Sequence, residues 1–233
     1  MEHSSFTSER GGIMAGRLVK FAFSYIGLSV AVFLGFVYIF LETASELKEK
    51  DIEIFDETII NFVQRFISSE LTELMLMVTF LGSIPWLTAS VICSMVFCLL
   101  KKKWRSGLFI AFSSGVGSLF NLYLKELFHR ERPDIKPLIE EEGYSFPSGH
   151  SMGSFIFYGA AAFLIFHYAK KWKMKLAGTG ALLFIILMVG LSRIYLGVHY
   201  PSDIIGGFAA GGAWLAVCVI LFKFFEKKED IRK

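Results

Sequence analysis

Charge is what this 233-residue chain lacks most: only 19% of its residues are Asp, Glu, Lys or Arg, against about a quarter in soluble domains. The apolar content that accompanies this shortage excludes a disordered chain and a solvated coiled coil. Cysteine is also scarce. Three residues, Cys93, Cys98 and Cys218, are too few for a disulfide scaffold and lack metal-ligand spacing. They read as small packing residues within apolar runs. Residues 1–17 are polar and have no short apolar core followed by a small-residue cleavage site, so the first apolar run is expected to stay as an anchor. The sequence shows no internal repeat, low-complexity tract or appended soluble domain.

What is present is apolar: 54% hydrophobic residues, 25 of them Phe, and a mean hydropathy of +0.55. One soluble domain of this size cannot hide that much apolar surface. The fold class is therefore an all-α polytopic membrane protein. A hydrocarbon core about 30 Å thick needs roughly 20 residues of helix, and suitable runs lie near 18–41, 71–100, 107–128, 150–169, 176–195 and 204–224. The second is read as one span, tilted or kinked at Pro85, where a backbone N–H is missing.

Charge distribution supports six spans. With both termini on one side, residues 1–17, Lys20, 101–105, 170–175 and the tail from Lys223 hold 16 Lys/Arg and 5 Asp/Glu, while the rest holds 8 and 16. Basic residues are retained in the cytoplasm, so both termini are expected there. Splitting 71–100 into two spans would destroy the asymmetry. The organisation expected is a cytoplasmic segment 1–17, one six-span domain over 18–224 and a cytoplasmic tail 225–233. On the outer face, Phe55, Ile59, Phe62, Val63, Phe66 and Ile67 recur at helical spacing opposite Glu57, Asn61, Gln64 and Arg65. This predicts an extra amphipathic interfacial helix over about 52–68, either capping the bundle or acting as a lid. Gly206-Gly207 and Gly211-Gly212 predict close helix contact in the last span.

Ionisable residues at span ends point to function, and three clusters fall on the expected outer face. They are KELFHRERP (125–133), PSGH (147–150) and SRIYLGVHYPSD (192–203). Together they suggest an anion site. Arg132 and Arg193 offer planar two-pronged donors and Lys125 a point charge. Ser148, Gly149 and His150 open a helix whose free N–H groups favour an anion, with glycine allowing close approach. Histidine attacks phosphorus or shuttles a proton, so His150 and His199 permit a nucleophile and an acid; Asp203 is placed to hold an imidazole tautomer. His129, Arg130, Glu140, Glu141 and Glu142 read as solvated loop residues, and His3 and His167 as satisfied interface histidines.

These blocks resemble the three-part signature of the type-2 phosphatidic acid phosphatases, shared with vanadium haloperoxidases and glucose-6-phosphatase. All eleven defining positions are present, and the size and short loops look like the bacterial phosphatidylglycerophosphatase B branch. The resemblance implies that His199 is the nucleophile forming a phosphohistidine, that Asp203 orients it, and that His150 protonates the leaving oxygen and helps activate water. It also implies that Lys125, Arg132, Ser148, Gly149, Arg193 and, less strongly, Ser192 bind the phosphoryl oxygens. No metal or other cofactor is implied, and vanadate or tungstate should inhibit as phosphate mimics.

The expected substrate is a membrane phospholipid or polyprenyl phosphate met in the bilayer, with phosphatidylglycerol phosphate first and undecaprenyl pyrophosphate and phosphatidic acid after it. No nucleic acid and no obligate protein partner is expected. The expected location is the cytoplasmic membrane, with the site at the outer face. The alternatives are a dedicated undecaprenyl pyrophosphate phosphatase or, in a different class, a headgroup transporter. The latter is disfavoured by the absent repeat and by a cluster at span ends rather than mid-membrane.

Overall fold

The structure, a computed structural model, describes residues 27–47 and 49–230. Segment 1–17, the start of the 18–41 span, His3 and the end of the tail lie outside the described residues. Among those described, every regular element is a helix: α1 (Gly27–Glu46), α2 (Lys50–Gln64), α3 (Ser69–Phe80), α4 (Ile84–Leu100), α5 (Trp104–Phe128), α6 (Gly149–Tyr168), α7 (Trp172–Tyr195) and α8 (Pro201–Asp230). Five of them, α1 and α5 to α8, are long and apolar enough to cross a membrane alone. The pair α3 and α4 supplies a sixth, broken span, bent by 46°.

The break corrects the expectation of a kink at Pro85. The chain leaves helix at residues 81–83, and Pro85 stands in the first turn of α4, where a missing N–H costs nothing. Gly82 explains the position: a Cβ there would sit 2.5 Å from Val189 Cγ1 and 2.9 Å from Ser154 Oγ. The break is satisfied internally, as membrane depth demands. Ser83 Oγ accepts from Trp86 N at 3.4 Å, and Tyr158 Oη donates to the Leu81 carbonyl at 2.9 Å while accepting from Trp86 Nε1 at 2.9 Å.

The central helix is α6, packed on α5, α7 and α8. Phe109, Ile110, Phe157, Ala160, Ile186 and Leu215 form the core between them. Outward-facing Leu119, Phe184 and Leu187 stay exposed on the surface, the pattern of spans solvated by lipid. The glycine pairs of α8 behave as expected: a Cβ at Gly207 would lie 2.8 Å from Ser148 O, and one at Gly211 3.0 Å from Met152 O. Cys98 and Cys218 are buried packing residues, but Cys93 is exposed on α4. His167 is satisfied as expected, between Glu226 Oε1 and Lys223 Nζ at 2.9 Å each.

The amphipathic helix exists as α2 and caps the ends of α7 and α8. Its apolar residues divide between two environments. Ile60, with Ile59 and Val63 beside it, packs on Ile194 and Ile204, whereas Phe55 and Phe62 are exposed; the helix ends at Gln64, short of the expected 68, and Phe66 and Ile67 follow it.

Candidate active site

The three motifs converge at one end of α5 to α8. Ser148 N donates to Asp203 O at 3.1 Å, joining the second motif to the third. Ser145 N donates to Arg130 O at 2.8 Å, tying the 129–148 loop to the first motif. Asn121, buried on α5, donates to Pro147 O at 3.3 Å and fixes the start of α6 from beneath. After α7, Gly197 adopts a left-handed φ of +74°, with Pro137 Cα and Ile135 Cδ1 3.3 Å from where its Cβ would lie. Only glycine makes this turn without strain, and the turn returns His199 to the motif cluster.

His199 is fully buried. Its Nδ1 lies 3.3 Å from Asp203 Oδ2, and Asp203 Oδ2 also accepts from Tyr200 N at 2.9 Å. On the other side, Arg132 Nη1 approaches His199 Nε2 at 3.4 Å. A guanidinium only donates, so Nε2 is the accepting nitrogen and the proton resides on Nδ1, facing the carboxylate. Burial lowers the His199 pKa from 6.5 to about 4; Asp203 opposes the shift, and Arg193 and Arg132 add to it. The imidazole is therefore neutral near pH 7, with an available lone pair on Nε2.

The cations gather around that nitrogen. Arg132 is fixed by Val198 O at 2.8 Å, Glu142 O at 2.9 Å and Gly143 O at 3.0 Å. Arg193, 1% exposed, donates through Nη1 to Thr79 Oγ1 at 2.7 Å, and its Nε has no acceptor among the described residues. Lys125 bonds the Tyr144 carbonyl, and its Cε lies 4.0 Å from where a Gly149 Cβ would stand. His150 is the second residue of α6, with its Cδ2 3.2 Å from the ideal Cβ position of Gly82. Ser148 is the α6 N-cap, accepting from Ser151 N at 3.4 Å. Ser192 turns its hydroxyl onto Val189 O of its own helix at 2.6 Å.

Two loop residues correct the sequence reading. Arg130 is not solvated: 14% exposed, it pairs with Asp203 Oδ1 at 2.7 Å and Asp56 Oδ2 at 2.8 Å. Glu141 is not solvated either. Its carboxylate pairs with Arg193, lies 3.4 Å from Arg132 Nη2 and stands 3.8 Å from His199 Nε2. His129, Glu140 and Glu142 are exposed as expected. Asp56, Thr79 and Ser202 were not anticipated. Asp56 carried a signal, since it occupies the apolar face of α2 between Ile52 and Ile60, all three buried.

A carboxylate held by two arginines beside a neutral imidazole is the geometry of an anion site. Comparison with known proteins gives this geometry a family. The PAP2 superfamily pattern matches residues 102–227. The chain belongs to the PAP2 superfamily. Across 193 residues it is 34% identical to phosphatidylglycerophosphatase B of Bacillus subtilis, covering 81% of this chain and 92% of that one. Its fold is similar to the crystal structure of a transmembrane PAP2-type phosphatidylglycerolphosphate phosphatase from Bacillus subtilis, with a TM-score of 0.74 and 33% identity over 86% of this chain and 96% of that one. Escherichia coli YbjG, named for undecaprenyl-diphosphatase activity, is 39% identical over 89 residues, 34% of this chain and 40% of its own. As a PAP2 member, the chain is a multi-pass membrane phosphatase. Among the described residues, no three His, Cys, Asp or Glu side chains gather as a metal site.

Proposed function

We propose that this PAP2 phosphatase is a metal-independent lipid phosphate phosphatase acting through a phosphohistidine on His199, with phosphatidylglycerol phosphate as its leading substrate. The observation that carries the reading is the Glu141 carboxylate, paired with Arg193 and near Arg132, 3.8 Å from His199 Nε2. A phosphoryl group in that position meets the same cations and the same lone pair.

In the first step His199 Nε2 attacks phosphorus, the P–N bond forms and the bond to the lipid oxygen breaks. His150, in its acid form, delivers a proton to that oxygen. Asp203 stabilises the Nδ1–H of the nucleophile. In the second step His150 takes a proton from water, water oxygen attacks phosphorus, and inorganic phosphate leaves His199. Lys125, Arg132, Arg193 and the backbone N–H of Gly149 bind the phosphoryl oxygens and stabilise the charge spread over them in the transition state. These cations supply the charge that a metal supplies in other phosphatases. Ser148 and Ser192 act through helix geometry, since their hydroxyls already have local roles.

The site opens at the outer face of the cytoplasmic membrane, with both termini inside and the substrate's tails in the outer leaflet. Phosphatidic acid and diacylglycerol pyrophosphate offer the same terminal phosphate. A second reading, a dedicated undecaprenyl pyrophosphate phosphatase, is favoured by the similarity to YbjG.

The test is phosphate release by the detergent-purified protein in excess EDTA, with phosphatidylglycerol phosphate, undecaprenyl pyrophosphate and phosphatidic acid compared side by side. The first lipid is expected to have the highest kcat/KM, and H199A to abolish release from all three. Preference for undecaprenyl pyrophosphate selects the second reading. Activity lost in EDTA and restored by a divalent cation contradicts metal independence.

A further inference from the structure

A buried charge network behind Asp203 belongs to none of the signature positions. Arg130 Nη1 reaches Asp203 Oδ1 and Ser202 Oγ at 2.7 Å each, its Nη2 reaches Asp56 Oδ2 at 2.8 Å, and its guanidinium lies 4.1 Å from the Tyr200 ring centroid. Asp56, completely buried on α2, also accepts from Ser202 N at 2.9 Å and Ser202 Oγ at 2.5 Å. It thereby satisfies an N–H in the first turn of α8, which no intrahelical acceptor can reach.

We propose that Arg130, backed by Asp56, is a positioning residue for phosphoryl transfer: it locks the Asp203 carboxylate so that Oδ2 is presented to His199 Nδ1. The proposal rests on the assignment of His199 and Asp203 in the preceding subsection. Rotation of an Asp carboxylate about χ2 is soft. Oδ2 is held by Tyr200 N and faces His199, and Arg130 is what anchors Oδ1. Asp56 holds the other arm of the same guanidinium, so the planar fork cannot turn. The position of the interfacial helix α2 is thus coupled to the orientation of the nucleophile. A lysine keeps the charge but cannot span two carboxylates with a fixed fork. Neither Arg130 nor Asp56 takes part in the cluster that holds the Glu141 carboxylate, so anion affinity should be independent of them.

The experiment compares R130K, D56N and R130K/D56N as full-length purified proteins, with H199A as control. It measures kcat, KM, inhibition by inorganic phosphate and thermal unfolding. A misaligned nucleophile is expected to lower kcat of R130K by about 10- to 100-fold, with KM and the phosphate inhibition constant within about threefold of wild type. D56N should show a smaller loss of the same kind, and the double variant should be no slower than R130K, because both act through one contact. Wild-type kcat in R130K overturns the proposal. So does a loss of kcat that moves with phosphate affinity, or multiplicative effects in the double variant. If R130K does not fold, D56N decides alone: lowered kcat at unchanged phosphate affinity supports the proposal, and wild-type kcat overturns it. Full turnover by H199A instead overturns the underlying nucleophile assignment, whatever R130K does.

Discussion

Burial holds the His199 imidazole in its neutral form, and the sign of that effect is testable. Desolvation disfavours the imidazolium and lowers the pKa from 6.5 to about 4, so the neutral, nucleophilic form persists down to that pH in the free enzyme. An imidazole NMR titration of the folded protein, assigned by difference against H199Q, is expected to show His199 titrating well below 6; a normal midpoint near 6.5 would mean the ring is hydrated. Glu141 pairs with Arg132 and Arg193, so in the proposed site its carboxylate would compete with phosphate. E141Q should tighten inhibition by inorganic phosphate by about 1–2 kcal/mol, roughly five- to thirtyfold; an unchanged constant would remove Glu141 from the anion site. At this scale residue type alone was enough to single out His199, His150 and Arg193, whose chemical roles are the proposal made above. The sequence was not legible at Arg130 and Glu141. Both sit in a charged loop, and only Asp203, Asp56 and Arg193, remote in sequence, bury them.

At the scale of elements, the site depends on how closely α6 and α8 approach. A Cβ at Gly207 would press on the Ser148 carbonyl at 2.8 Å, and backbone cannot yield as a flexible side chain does. G207A should cost about 1–3 kcal/mol of stability by overpacking and also lower kcat, because the displaced atoms begin the α6 N-terminus. Thermal unfolding in detergent together with phosphate release checks both effects. The apolar runs predicted all six spans because length and hydropathy determine which segments cross a bilayer. The break between α3 and α4 was placed too late, at Pro85. Its cause is a tertiary contact, Gly82 against Val189 and Ser154, which local sequence does not display. The α2 helix was anticipated from periodicity, while Asp56 on its apolar face was the overlooked sign that this face meets a cation.

For the whole molecule, the distribution of Lys and Arg predicts that the 129–148 loop and the three motifs lie outside and the 101–105 turn inside. In a background with Cys93, Cys98 and Cys218 replaced by serine, E140C should react with an impermeant maleimide on intact cells and K103C only after lysis. Both positions are exposed, so the reverse pattern would move the site to the cytoplasmic face. The proposed chemistry, however, is covalent. The most direct measurement is a rapid acid-free quench of wild-type protein with 32P-labelled phosphatidylglycerol phosphate, followed by mapping of the label. The expected result is an acid-labile, alkali-stable phosphoenzyme on His199 that is absent in H199A. Phosphate release at full rate with no such species, or with the label on another residue, would contradict it.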